Sequence, residues 1–259
     1  MPIALLTDFG TADSYAGVLK GVIARIAPAT PVIDLTHEIP PFDVLQGALV
    51  FYQACRYFPE KTIFVGVVDP GVGGFRRPLL IQTKRHFFIG PDNGLFSLAL
   101  SEEEIEKILL LNNCDYFLKD PSHTFHGRDV FAPVAAHLSM GVPPHEFGPQ
   151  VSDYEKLKDM EPRKEKNEII GKILSIDRFG NAITNLKFSL LQGQFPSLQF
   201  SAQIGEKNLR EIKSHYAEME SKEPFLLFGS TRLLEISVNQ GSAAKELGIK
   251  RGDVVKIKL

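Results

Sequence analysis

The chain has 259 residues, 44% of them hydrophobic and 23% charged, which is the profile of a globular protein long enough to bury a sizeable core. A formal net charge of −2 leaves no basic footprint for nucleic acid or an anionic membrane surface. No apolar run approaches the ~20 residues of a membrane span.

Residues 1–152 alternate between strand-like and helix-like segments. Residues 3–6 read as a strand and 14–26 as a helix, with Val18, Val22, Ile23 and Ile26 on one face, Ser14 as N-cap and Pro28 as the stop. Residues 31–35 read as a second strand, 43–57 as a second helix capped by Asp43, and 63–68 as a third strand. Two later strands fall at 78–83 and 86–89. A further helix is expected over 125–139, started near Asp129 and closed by Gly141. This βαβαβ order implies a mainly parallel sheet with helices on both faces.

Charged residues dominate from Asp153 to Glu168, around Pro162, and read as a solvated linker over 153–168. Beyond it the pattern changes. Residues 171–176, 182–186, 197–202, 224–228, 233–238 and 253–258 are short strand-like segments between turn residues, which suggests a small antiparallel all-β barrel or sandwich domain over 169–259. Cys55 and Cys114 lack a metal-ligand spacing and read as small buried hydrophobes, with unpaired thiols that suit a reducing cytoplasm. The opening residues reach Asp8 without a basic stretch, so no secretion signal is expected.

The segment that stands out for chemistry is Asp69-Pro70-Gly71-Val72-Gly73, directly after the third strand and followed by Arg76 and Arg77. Ligands of open α/β sheets bind beyond the carboxyl ends of the strands, and glycines there allow close backbone approach. Asp8 ends the first strand and suits the vicinal hydroxyls of a ribose, or else a cap or a metal. His37 and Glu38 follow the second strand, but no second histidine lies at ligand spacing, so a rigid structural loop is the better reading. Gly90-Pro91-Asp92-Asn93-Gly94 is a turn placed to wall a pocket. In His123-Thr124-Phe125-His126-Gly127-Arg128-Asp129, capping accounts for Asp129 and Arg128 and leaves His126 unexplained. Further on, Asp177-Arg178-Phe179-Gly180-Asn181 is richer than a plain hairpin needs. Asp177 can hold an ammonium group, Phe179 can pack on a flat ring and Asn181 can read an adenine edge.

These motifs, in this order and together with Ser230 and the run Leu234-Glu235-Ile236-Ser237-Val238-Asn239, resemble the S-adenosylmethionine hydroxide adenosyltransferases, relatives of the fluorinases and chlorinases. The resemblance spans nearly the whole chain. It implies an α/β N-terminal domain, a β-barrel C-terminal domain and a homotrimer, with S-adenosylmethionine held between one subunit's N-terminal domain and its neighbour's C-terminal domain. It further implies that Asp69, Arg76 and His126 position water or hydroxide, and that Asp8 binds the ribose diol. Asp177 would hold the methionine amino end, with Ser230 near its carboxylate, Asn181 at the adenine and Tyr216 stacked on it. No cofactor or metal is implied beyond S-adenosylmethionine as substrate.

Halogenating relatives replace the triad acid and carry an extra loop. Asp69 is present here without such an insertion, which favours water over halide as nucleophile. Three other readings remain at this point: a halogenase forming a 5′-halogenated adenosine, a non-catalytic binder of adenosine or S-adenosylmethionine, and a metal-dependent phosphohydrolase built on Asp8, Asp13, Asp69 and His126.

Overall fold

The computed structural model describes residues 1–165, 168–220 and 222–258, and the chain divides into two compact units, Met1–Leu157 and Lys158–Leu259. The first unit runs β1 (Ile3–Thr7), α1 (Tyr15–Ile26), β2 (Val32–Thr36), α2 (Val44–Ala54), β3 (Ile63–Val67), β4 (Pro78–Thr83), β5 (Phe87–Pro91), a short α3 (Ser97–Leu100), β6 (Ile105–Leu110), α4 (Ala132–Ser139) and β7 (Gln150–Val151). Its seven strands lie in the order β2-β1-β3-β5-β4-β6-β7. Only the first half is parallel, through the pairs β1–β2, β1–β3 and β3–β5. The remaining pairs, β5–β4, β4–β6 and β6–β7, are antiparallel. The mainly parallel sheet expected from the sequence therefore holds for its first four strands alone. The short link Lys84-Arg85-His86 between β4 and β5 suits an antiparallel return, whereas a parallel return needs a crossover.

Alternation along β1 explains why the sheet is covered twice. Ile3 and Leu5 pack with Leu19 and Ile23 of α1 and Val134 of α4, while Ala4 and Leu6 pack with Phe51 of α2 and Phe64, Phe88 and Phe96 on the other face. Asp43 caps α2 as expected, its carboxylate accepting the N–H of Gln46 at 3.0 Å. Ser14 precedes α1 but makes no side-chain cap. Cys55 is buried, whereas Cys114, expected to be buried, is exposed.

The helix expected from 125 does not begin at Asp129. Gly127–Phe131 forms a π-helical turn that runs into α4. Pro133 is the cause, because it has no N–H to offer the carbonyl of Asp129. That carbonyl accepts the N–H of Leu118 at 2.9 Å instead, which docks the segment before His126.

The second unit contains β8 (Arg163–Glu165), β9 (Glu168–Ile176), β10 (Ala182–Lys187), α5 (Phe188–Gln194), β11 (Ser201–Ile204), β12 (Lys207–Leu209), β13 (Ile212–Lys213), β14 (Phe225–Phe228), β15 (Leu233–Ser237), α6 (Ala243–Leu247) and β16 (Val254–Lys258). Nine strands follow the order β12-β11-β16-β9-β10-β15-β14-β13, with β8 paired to β9. The ends, β12 and β13, do not pair among the described residues, so the all-β barrel expected from the sequence is met by a curled half-barrel. Within the charged stretch 153–168, Arg163–Glu165 is a strand on β9, and residues 166 and 167 lie outside the described residues. The strand expected over 197–202 starts only at Ser201. The core of this unit gathers Ile169, Ile173, Leu186, Leu226, Leu234, Val255 and Ile257 into one buried cluster.

Candidate active site

Asp69 follows β3, and a tight glycine turn brings the chain back so that Arg76 meets it. The turn is closed by Val72 N–H to the Asp69 carbonyl at 3.3 Å and Gly74 N–H to the Gly71 carbonyl at 3.0 Å. Gly73 has φ +76°, and a Cβ there would lie 2.5 Å from the carbonyl oxygen of His123, so the turn packs directly on the segment leading to His126. Arg76 donates from Nε to both Asp69 carboxylate oxygens at 3.0 Å and from a terminal nitrogen to Oδ2 at 2.5 Å. The same terminal nitrogen lies 2.8 Å from His126 Nδ1. The three residues singled out as a triad thus form one hydrogen-bonded chain. The side chains of Arg76 and Asp69 are only 8% and 5% exposed, so this ion pair is largely removed from water. Phe131 of the π turn lies under the guanidinium, 5.6 Å from ring centroid to Arg76 Cζ.

Asp69 and His126 border a cavity of about 290 Å³ that is also lined by Asp8, Phe9, Tyr15, Phe42 and Phe125. Phe9, Tyr15 and Phe125 pack edge-on or tilted, with centroids 5.5 to 5.8 Å apart, and make an apolar wall. Asp8 accepts the Phe42 N–H at 2.8 Å. Burial raises its pKa, and the negative charge of Asp69 adds to the effect. His126 is shifted the other way: burial foremost, then the Arg76 guanidinium, hold it below the usual histidine range.

Neighbouring motifs brace this arrangement without lining it. The 90–94 turn, expected as a pocket wall, sits behind the site, where Asn93 Nδ2 donates to the Val68 carbonyl at 2.9 Å, one residue before Asp69. Asp92 accepts from Arg77 Nε at 2.7 Å and from the Glu155 N–H at 2.6 Å, which ties up the second arginine of the motif. Asp129 is not a cap: it accepts from Arg128 at 2.6 Å and from the Ser122 N–H at 2.8 Å, and these partners hold its carboxyl below the ordinary range. His37 is buried, 2.9 Å from Thr7 Oγ1 and beside Asp34, which agrees with the structural reading of that loop. Among the described residues no group of three or more histidine, cysteine, aspartate or glutamate side chains is assembled to hold a metal ion.

In the second unit a cavity of about 540 Å³ is lined by Asp177, Phe179, Asn181, Tyr216 and residues 238–241. Asp177 closes its own loop, accepting the N–H groups of Phe179 and Asn181 and the Asn181 side-chain amide, each at 2.9 Å. One of the two Asn181 Nδ2 hydrogens is therefore committed to Asp177. Phe179 is 77% exposed, and its ring lines the cavity. Gly180 has φ +88°, and a Cβ there would run into the Ser242 hydroxyl. Ser230, expected beside the cavity, is exposed and does not line it. Sequence reasoning missed Tyr15, Phe42, Gln240 and Gly241, because scattered aromatics and loop residues carry no motif.

A family model described as the SAM hydroxide adenosyltransferase N-terminal domain matches residues 3–148, and its C-terminal counterpart matches residues 171–256. A Thermus thermophilus protein named (R)-S-adenosyl-L-methionine hydrolase is 38% identical over 99% of both chains. One of the same name from Salinispora tropica is 36% identical over 98% of this chain and 97% of its own. A fluorinase from Actinoplanes is more distant, at 28% identity over 71% of each chain. The crystal structure of a conserved protein from Thermotoga maritima superposes with a TM-score of 0.91 at 38% identity, covering 99% of this chain and all of that one. The chain belongs to the S-adenosylmethionine hydroxide adenosyltransferase family.

Proposed function

We propose that this protein hydrolyses S-adenosyl-L-methionine to adenosine and L-methionine, with a water-derived oxygen attacking ribose C5′. The observation that carries the reading is the hydrogen-bonded chain Asp69–Arg76–His126, whose two ends, Asp69 and His126, line a cavity that Asp8 also lines. The sulfonium makes methionine a good leaving group, so no general acid is required. The C5′–S electron pair leaves with sulfur, the new C5′–O bond forms opposite to it, and the oxygen gives up one proton.

Each residue then has a role. Arg76 donates to His126 Nδ1, so the neutral imidazole carries its proton on Nε2 and can donate a hydrogen bond to the incoming oxygen. Asp69 fixes Arg76 and accepts the proton that the oxygen loses. Asp8 binds the ribose hydroxyls and sets the direction of C5′. Holding nucleophile and carbon in line supplies up to ~7–11 kcal/mol of the barrier reduction. Proton acceptance by Asp69 adds a factor of ~10²–10⁴.

The second cavity takes the rest of the substrate: Asp177 at the amino end, Asn181 at the adenine, and Phe179 and Tyr216 as ring surfaces, while Ser230, outside the cavity lining, is left to meet the carboxylate from the surface. Each cavity carries only part of the required set, which fits the homotrimer that the family resemblance implies, with neighbouring subunits completing one another's sites. No cofactor takes part, and unpaired Cys55 and Cys114 suit a cytoplasmic setting.

The test is product analysis in ¹⁸O-labelled water with chloride or fluoride present. Adenosine labelled at the 5′ oxygen, in equal amount with methionine, is expected. A 5′-halogenated nucleoside, or substrate recovered intact, would overturn the reading.

A further inference from the structure

Beside the Asp177 cavity lies an acid to which this mechanism assigns nothing. Glu235, in the middle of β15, is 8% exposed, and its Oε2 receives one long hydrogen bond, 3.4 Å from the Tyr216 hydroxyl. Its Oε1 lies against the backbone of Gly229, where an added Cβ would collide with it, so only glycine leaves room for the carboxyl. Across the sheet its register partners are Ile183 on β10 and Leu227 on β14, which offer it no side-chain hydrogen bond. The titratable groups that face it are Asp177, from the loop between β9 and β10, and Tyr216, from the turn at Tyr216–Glu218. Among the described residues no lysine or arginine pairs with either acid.

A buried carboxyl with one weak partner and a second carboxylate nearby is an incomplete arrangement. Asp177 does not complete it, because both of its oxygens already accept hydrogen bonds from its own loop. What the pair lacks is a positive charge, and the cavity that Asp177 and Tyr216 line is open to one. We propose that Glu235 and Asp177 form an acid pair that recognises the cationic amino group of the ligand, and that entry of this group releases a proton from Glu235. The proposal rests on the substrate reading above and adds a residue and a proton to it.

Electrostatics supports the release. Burial, and then the charge of Asp177, push the Glu235 carboxyl up to about 7, so near neutral pH the empty site holds a fraction of a proton there. An ammonium group nearby favours the ionised form, and by linkage the ligand must bind more tightly as pH rises through that range. Glu235 acts on the ligand partly through the Tyr216 hydroxyl, which makes it a positioning residue as much as a charge.

The experiment is calorimetric titration of the full-length protein in buffers of different ionisation enthalpy. The probes are S-adenosyl-L-homocysteine, which has the amino group but no sulfonium to displace, and adenosine, which has neither. At pH 7 the first is expected to release about half a proton per site and the second none. Its Kd should tighten about tenfold between pH 6 and pH 8, and Glu235→Gln should abolish both the release and the pH dependence. Comparing two ligands on the unaltered protein decides the question even if the variant misfolds. Equal proton release by both ligands, no release by either, or unchanged release in Glu235→Gln would overturn the proposal. Failure of both ligands to bind would overturn the substrate reading itself, and this inference with it.

Discussion

One terminal nitrogen of Arg76 lies 2.8 Å from His126 Nδ1 and 2.5 Å from Asp69 Oδ2, and the first contact fixes which imidazole nitrogen carries hydrogen. A guanidinium only donates, so Nδ1 must accept and Nε2 must bear the proton. With its pKa held below the ordinary value, His126 stays neutral at pH 7 and presents a donor, not a base. His126→Ala should lower kcat ~10²–10³-fold, the usual loss for one preorganised donor, with KM changed little. Steady-state kinetics decides it, and a loss confined to KM would remove His126 from the chemistry. Protonation of His126 would break the Arg76 contact, so kcat should also fall on acidification, at a pH below the ordinary histidine range because burial and the Arg76 guanidinium disfavour the imidazolium.

Asp69 serves two ends that separate experimentally. Asp69→Asn keeps the shape but leaves the guanidinium of Arg76 with no neutralising charge in a largely buried place. Removing one partner of such a pair costs about 3–5 kcal/mol, so the melting temperature should drop clearly. Among molecules still folded, turnover should be lost by a further ~10²-fold or more, while binding of adenosine survives. Turnover per folded molecule equal to that of the unaltered protein would show Asp69 to be structural only.

The turn that carries Arg76 makes its own demand. Gly73→Ala would place a methyl group at φ +76° and 2.5 Å from the His123 carbonyl, so either the turn or the His126 segment must shift. A displacement of even ~1 Å at the reacting groups can cost ~10²-fold in rate. Gly10 also has positive φ, but nothing lies within 4 Å of its Cβ position, so Gly10→Ala should cost backbone strain alone. Kinetics on the two variants side by side tests the contrast, and equal losses would refute it.

Much of this site was legible because its chemistry is local. Asp69 after an apolar run, Asp43 before another, and the density of glycine around Arg76 each declare their role within a few residues. What escaped depended on partners far along the chain. The π turn at Gly127–Phe131 follows from Pro133 freeing the Asp129 carbonyl for Leu118, a pairing that helix periodicity does not encode. Asn93 supports Asp69 from a different strand end, and so reads in sequence as an ordinary turn residue. The half-barrel stays open because β12 and β13 end the sheet as short edge strands, of three and two residues. Alternation along a strand says which face is buried and nothing about which strands meet. Glu235 stands in plain view inside a motif of the second unit, yet its burial beside Asp177 emerges only from the sheet register.

His86 gives a prediction that concerns stability and not catalysis. It is fully buried in the turn between β4 and β5, edge-on to Phe64 at 5.2 Å, and among the described residues neither ring nitrogen has a hydrogen-bond partner. Burial, and then the charge of Arg85, lower its pKa from 6.5 to about 4. The folded protein therefore keeps His86 neutral where the unfolded chain is already protonated. Above pH ~6.5 the two states bind protons alike and His86 has no effect. As pH falls from there toward about 4, the unfolded state takes up a proton that the folded state refuses, and stability declines by up to ~1.4 kcal/mol per pH unit. Below about 4 the slope from this residue vanishes. Carboxylates titrate in the same region, so the measurement is a difference: urea unfolding of the unaltered protein and of His86→Phe at pH 7.5, 6, 5 and 4.5. The variant should lose less stability on acidification, because phenylalanine fits an aromatic site and binds no proton. Parallel curves for the two proteins would mean that His86 reaches water and titrates normally.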